Sequence, residues 1–195
     1  IVDVSLNRCT FTGNYLDSKE GDDTNNAGRA VGGGCIFLHQ PDANTATKLL
    51  VNECTFNGNY PEMIAGGVIY ANSGTLEITN SDFTDNSNAI AAGTTNEGKT
   101  NVDEVSRIAG SVLYIKDAAV TISDSDFVEN RTSGGGTVFL SGNNCSFTIS
   151  GGNFTDNKSY GAGAAALRVS SNFNSPTDTT RVVSVNGVTF TGNHS

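Results

Sequence analysis

Tryptophan is absent from this sequence, histidine occurs twice, and basic residues are scarce. No apolar run approaches the roughly 18 residues that a membrane-spanning helix needs, so these residues hold no α-helical span. His39 and His194 lie far apart and outside any motif. No CxxC, HExxH, GxSxG or phosphate-loop spacing occurs, so the usual metal, hydrolase and nucleotide sites have no support. Eleven Lys and Arg face twenty Asp and Glu, a formal net charge of −9. Without a basic patch to replace phosphate counterions, a nucleic-acid partner and an anionic membrane surface are both disfavoured, and we expect neither nucleic acid nor membrane insertion. That balance fits a secreted or cell-surface protein, or one that meets cations. No leader pattern is visible: the chain opens on the strand-like IVDVSL and stops at Asn193-His194-Ser195, inside a repeat. We therefore expect residues 1–195 to be a single segment of a longer chain.

What is present is a repeat. In Leu76–Asn86, two apolar residues two apart (Leu76, Ile78) precede a polar bend, then Phe83, then Asn86. The same frame gives Val4, Leu6, Phe11, Asn14 and Leu49, Val51, Phe56, Asn59. It continues as Val120, Ile122, Phe127, Asn130, then Phe147, Ile149, Phe154, Asn157, then Val183, Val185, Phe190, Asn193. Successive Phe residues are 45, 27, 44, 27 and 36 apart. Between copies falls a Gly-rich mark: Gly33-Gly34-Cys35-Ile36, Gly66-Gly67-Val68-Ile69, Ala109-Gly110-Ser111-Val112, Gly135-Gly136-Thr137-Val138, and the weaker Gly163-Ala164-Ala165-Ala166. Fixed-period self-similarity marks a solenoid.

Each unit reads as three short strands, and nothing reads as a helix. Units of this kind stack as a parallel β-helix, one unit per coil, with equivalent residues in columns along the axis. We expect an all-β, right-handed parallel β-helix of about six coils. Inward pairs on the Gly-marked strand are Ile36/Leu38, Ile69/Ala71, Leu113/Ile115, Val138/Leu140 and Leu167/Val169. The Asn after each Phe suits an amide ladder that donates to and accepts from its equivalents in adjacent coils. The structural columns are thus Phe11, Phe56, Phe83, Phe127, Phe154 and Phe190, with Asn14, Asn59, Asn86, Asn130, Asn157 and Asn193. Gly pairs suit tight corners with positive φ or close backbone approach. Long polar insertions at 15–32 and 87–109, and others at 40–48 and 170–182, leave the repeat corners, where solenoids carry individual contacts.

Four cysteines are present. Cys9 and Cys54 each sit two before a Phe in neighbouring units. One strand spacing, about 4.8 Å, would separate them, within reach of a disulfide. The alternative is small inward residues filling a corner. Cys35 and Cys145 lie coils apart.

Asp82 and Asp126 each precede a Phe in successive units; Asp85, Glu129 and Asp156 each precede the Asn. Stacked carboxylates repel, and a cation would relieve them, which makes calcium the one candidate cofactor. No Lys or Arg accompanies them in the repeat frame, so catalytic groups are absent from our expectation. A lyase- or glycosidase-like enzyme remains the alternative. Phe37, Tyr70, Tyr114 and Phe139 form an outward aromatic row with Arg168 next in line, a candidate surface for sugar or protein. The outward hydroxyls of the first strand, Ser5, Thr121, Thr148 and Ser184, invite an ice-binding reading, which Leu50 and Glu77 interrupt. Glycosylation sequons fall at Asn130, Asn144, Asn153, Asn157 and Asn193. A glycan would disrupt the ladder positions, so Asn144 and Asn153 are the credible acceptors.

The alternation of FTGN, FNGN, FTDN, FVEN, FTDN and FTGN with GGCI, GGVI and GGTV resembles the repeats of chlamydial polymorphic outer membrane proteins. It covers nearly the whole chain, although the third residue of the Gly-Gly mark, usually Ala there, is Cys, Val or Thr here. The resemblance implies a β-helix exposed at a cell surface and used in adhesion, with no active site to carry over. The expected partner is a protein or carbohydrate at a cell surface, or neighbouring copies of the same assembly.

Overall fold

The structure is a computed structural model, described here for residues 2–16, 31–40, 46–61, 65–87, 112–132, 135–142, 146–160, 164–169 and 182–195. These residues contain strands and turns and no α-helix. The chain folds as a parallel β-helix. A first sheet stacks Val2–Asn7, Thr47–Asn52, Thr75–Thr79, Ala119–Ser123, Ser146–Ser150 and Val182–Asn186, in chain order and all parallel. A second stacks Thr10–Thr12, Thr55–Asn57, Asp82–Thr84, Asp126–Val128, Asn153–Thr155 and Thr189–Thr191 in the same way. A third holds Val31–His39, Ala65–Asn72, Leu113–Lys116, Val138–Ser141 and Leu167–Val169. We number the coils 1 to 6 by their Phe, from Phe11 to Phe190.

The apolar frame sets the register. Leu49, Leu76, Val120 and Phe147 pair across the first sheet, as do Val51, Ile78, Ile122 and Ile149, and all eight are buried. Successive side chains of a strand point to opposite faces, so residues two apart enter the core together. The third-sheet pairs Ile69/Ala71, Leu113/Ile115 and Val138/Leu140 bury the same way. In the outermost coils these positions are half exposed: Val4 at 43%, Val185 at 41% and Phe190 at 47%.

Two backbone bends recur in every coil, both left-handed. One lies three residues before the Phe, at Arg8, Glu53, Asn80, Asp124, Gly151 and Gly187. The other lies two after it, at Gly13, Gly58, Asp85, Glu129, Asp156 and Gly192. Asp and Asn enter this region more readily than most residues, and Gly freely. This explains why the motif alternates between FTGN and FTDN. The Gly-Gly mark behaves differently from the expected corner. Gly66 and Gly67 lie inside the strand Ala65–Asn72, and only Gly136 of the described marks has a positive φ. In coil 1 the register runs Gly32 to Gly66 and Gly33 to Gly67. It then shifts before Ile36 meets Ile69, so the Gly alignment read from the sequence is one residue out.

Two columns of side chains lock the coils together. The Phe rings stack in parallel with centroids 4.6, 4.6, 4.8, 4.6 and 5.1 Å apart. Each Asn from coil 1 to coil 5 sends its backbone N–H and its Nδ2 to the Oδ1 of the next coil's Asn. For Asn86 the distances to Asn130 Oδ1 are 3.0 and 3.1 Å. From coil 2 onward Nδ2 also donates to the carbonyl of the preceding coil's Phe, as in Asn86 to Phe56 O at 2.9 Å. Asn86, Asn130 and Asn157 are fully buried with every amide hydrogen engaged. Buried amides are tolerated only when so satisfied.

A second ladder, not anticipated from the sequence, runs two residues before the Phe. Cys9 N–H donates to Cys54 Sγ at 3.4 Å, Cys54 N–H to Ser81 Oγ at 3.1 Å, and Ser81 N–H to Ser125 Oγ at 3.1 Å. Each acceptor in turn donates to the carbonyl two residues earlier in its own coil. The expected Cys9–Cys54 disulfide is absent: both thiols are free. Equivalent residues of stacked parallel coils point the same way, so these side chains lie side by side, and each takes a ladder bond. Cys145 lies outside the described residues.

Candidate functional site

In the later coils the residue after the ladder Asn lies at a corner of the stack. In coils 4, 5 and 6 it is Arg131, Lys158 and His194. Arg131 and Lys158 are register partners in a short two-stranded sheet, and Lys158 bridges to His194. The residue before the Asn is Glu129, Asp156 and Gly192. Glu129, Arg131, Asp156, Lys158 and His194 line an open groove of about 380 Å³. Tyr160 follows Lys158 by two residues, is 65% exposed, and is anchored by its N–H to Thr132 O at 2.8 Å. Sequence reading placed no basic residue in frame with the carboxylates. The structure corrects this, because the position after the Asn carries no fixed residue type and so escapes a search for repeated ones.

The carboxylates meet different fates. Asp85 accepts from Arg131 Nη1 at 2.8 Å across one coil spacing. Asp126 Oδ1 accepts from Asn153 N and Nδ2 at 2.9 and 2.8 Å. Asp156 directs Oδ1 at Gly192, where a Cβ would lie within 1.9 Å of it. Asp82 pairs in register with Asp126. Burial, and then the Asp126 charge, raise its carboxyl above the ordinary range. Among the described residues no three His, Cys, Asp or Glu side chains converge on a point that would hold a metal ion. The expected calcium site at Asp82, Asp85, Asp126, Glu129 and Asp156 therefore lacks a ligand cluster: Asp82 and Asp126 lie in strands, Asp85, Glu129 and Asp156 repeat one bend a coil apart, and Asp85 and Asp126 are held by Arg131 and Asn153.

The aromatic row is in the expected register. Phe37, Tyr70, Tyr114 and Phe139 stack at 5.1, 5.0 and 5.3 Å, with the Arg168 guanidinium 5.0 Å above the Phe139 ring. It is not an open face. Tyr70, Tyr114 and Phe139 are buried in a cluster separate from the main core, and only Phe37, 49% exposed, presents a ring. Burial pushes the Tyr70 hydroxyl up to about 12, with the Tyr114 and Asp117 charges adding to it. Burial also raises the Cys35 thiol, to about 11, against a hydrogen bond with Asn14.

Of the sequons, Asn130 and Asn157 are buried ladder members, and Asn153 is exposed. Asn144, and all but the edges of the loops 15–32 and 87–109, lie outside the described residues. No family model, curated protein or solved structure matches the chain.

Proposed function

We propose that this chain is a structural and adhesive β-helix module of a cell surface or secreted coat. It holds outward side chains in fixed rows for a protein or carbohydrate partner, or for neighbouring copies in the same assembly. The observation that carries this reading is the use of the interior. In the described coils the Phe column, the Asn column and the Cys/Ser ladder commit inward groups to stacking. A stack built this way is stiff, and its contacts are left to its outside. The resemblance to chlamydial polymorphic outer membrane proteins points in the same direction.

The test is retention. Purified chain fixed to a surface should hold cells or extracellular-matrix material under flow, saturably and in competition with soluble chain. Retention no better than on an unrelated acidic protein overturns the reading. Protease treatment of intact source cells should also remove the chain.

A carbohydrate-active enzyme is the second reading, favoured by acids and bases sharing one groove at Glu129, Arg131, Asp156 and Lys158. It requires new reducing ends from a polysaccharide with the native chain and none with Glu129→Gln.

A further inference from the structure

We infer that the outer corner of coils 4 to 6 binds a neutral, hydroxyl-rich oligosaccharide lying along the stack axis. This rests on the adhesive reading and names its partner class and its place. Four features of the corner support it.

The first is complementarity of hydrogen bonding. Glu129 and Asp156 form a line that only accepts, and Arg131 and Lys158 form a parallel line that only donates. A sugar hydroxyl does both. Neighbouring hydroxyls of one ring thus donate a hydrogen bond to a carboxylate and accept one from the ammonium or guanidinium. The second is charge. Glu129 and Asp156 offset Arg131 and Lys158 along the groove, and Asp85 on Arg131 adds a further negative charge beside it, so the corner has no positive excess. The chain as a whole carries −9, which repels a polyanion. Both facts disfavour an anionic chain, and the paired rows of acceptors and donors suit an uncharged hydroxyl-bearing one.

The third is availability. Among the described residues Lys158, Glu129 and Asp156 make no ion pair, whereas Arg131 is partly engaged by Asp85. Two acceptors and a donor line the groove without being paired to one another. The fourth is an apolar platform. Tyr160 lies two residues beyond Lys158 in the same coil, outside the side chains that line the groove, and is 65% exposed. An exposed aromatic ring two residues beyond the groove suits the CH-rich face of the next sugar along the chain. Coil spacing of about 4.8 Å repeats these groups along a straight line. The site therefore matches a linear chain better than a single sugar.

The experiment is calorimetric titration of the 195-residue chain with linear hexasaccharides: a β-glucan, a mannan, an N-acetylated amino-sugar oligomer, and a uronate oligomer as the charged control. At least one neutral oligomer should bind. Tyr160→Ala and Glu129→Gln should each weaken it about tenfold or more. Both side chains are exposed, so the thermal midpoint should stay put. Absence of binding by every neutral oligomer overturns the inference, as does binding indifferent to both substitutions. Preference for the uronate oligomer overturns its charge argument. Retention on surfaces that persists without oligosaccharide binding, or that needs a protein component alone, sinks this site and leaves the adhesive reading standing. Loss of retention itself is the separate failure of that reading.

Discussion

At the scale of single residues, the same chemical type has different worth according to its place in the stack. Phe83 is fully buried between Phe56 and Phe127. Phe83→Ala removes two ring contacts and leaves a cavity, at a cost of roughly 3–5 kcal/mol. Phe190→Ala, at a half-exposed ring, should cost clearly less, and urea melts of the two variants give the comparison. Asn86→Ala strips the acceptor from Asn59 N and Nδ2 and the donor from Phe56 O. Buried groups left unpaired make that about 3 kcal/mol. Two glycines separate strain from space. At Gly152 a Cβ would sit 2.1 Å from Ser125 O with φ at +76, and at Gly58 it meets nothing within 4 Å with φ at +61. Gly152→Ala should cost about 3 kcal/mol or more, and Gly58→Ala about 1–2 kcal/mol from backbone conformation alone. Equal losses would place the clash elsewhere.

At the scale of the element, the acidic pair and the corner ladder decide behaviour. Asp82 has its carboxyl raised by burial and then by Asp126. Its folded form holds its proton more tightly than the unfolded one. The stability this adds is present below the unfolded value of 3.8 and is lost as pH rises through the folded one. Asp82→Asn should therefore raise the melting midpoint at pH 7, with the gain shrinking as pH falls toward 3. A gain independent of pH would mean that charge is not the cause. The corner ladder also shows where the sequence was legible. Phe and Asn repeat as types, and their columns and the inward pairs of the central coils were readable from spacing, whereas the Gly alignment of coil 1 was one residue out and Val169, expected to point inward, is 47% exposed. Cys54, Ser81 and Ser125 differ as types and share only an acceptor atom one bond beyond Cβ. They read as unrelated small residues, or as half of a disulfide. Asp85, Glu129 and Asp156 read as a ligand set because the left-handed bend that selects them is a backbone property. Tyr70 and Tyr114 read as outward, which the register supports, but alternation does not say what covers an outer face. Because the thiols are free, a reductant should leave the melting midpoint unchanged, and alkylation without reduction should label Cys9.

At the scale of the whole molecule, the coil is the unit of change. Asn130 and Asn157 are 27 residues apart and occupy equivalent rungs. Deleting residues 128–154 joins Phe127 to Thr155 and returns the frame Phe-x-x-Asn, so a five-coil stack should fold cooperatively with a smaller denaturant dependence. Removing one residue more, Thr155, shortens Phe-x-x-Asn to Phe-x-Asn in that coil and takes Asn157 off its rung next to Asn193, so that variant should be clearly less stable than the 27-residue deletion. If both deletions behave alike in circular dichroism and urea melts, register is not what holds the stack. Glycopeptide mapping of native material tests the same geometry from outside: Asn130 and Asn157 should be bare, and exposed Asn153 is the described position open to a glycan.

The two ladders and the strand pairings all place their hydrogen bonds along one direction, the stack axis. A tether pulling on the two ends of the chain would load those bonds in tension, a few at a time, at whichever terminal coil is least covered. The module should therefore yield by peeling. A 27-residue coil would release about 90 Å of slack at each step, while the coils beneath keep their shape. Sideways load would instead meet every rung at once. A surface built from such modules would give way under a steady pull, absorbing the strain in increments, and resist being sheared.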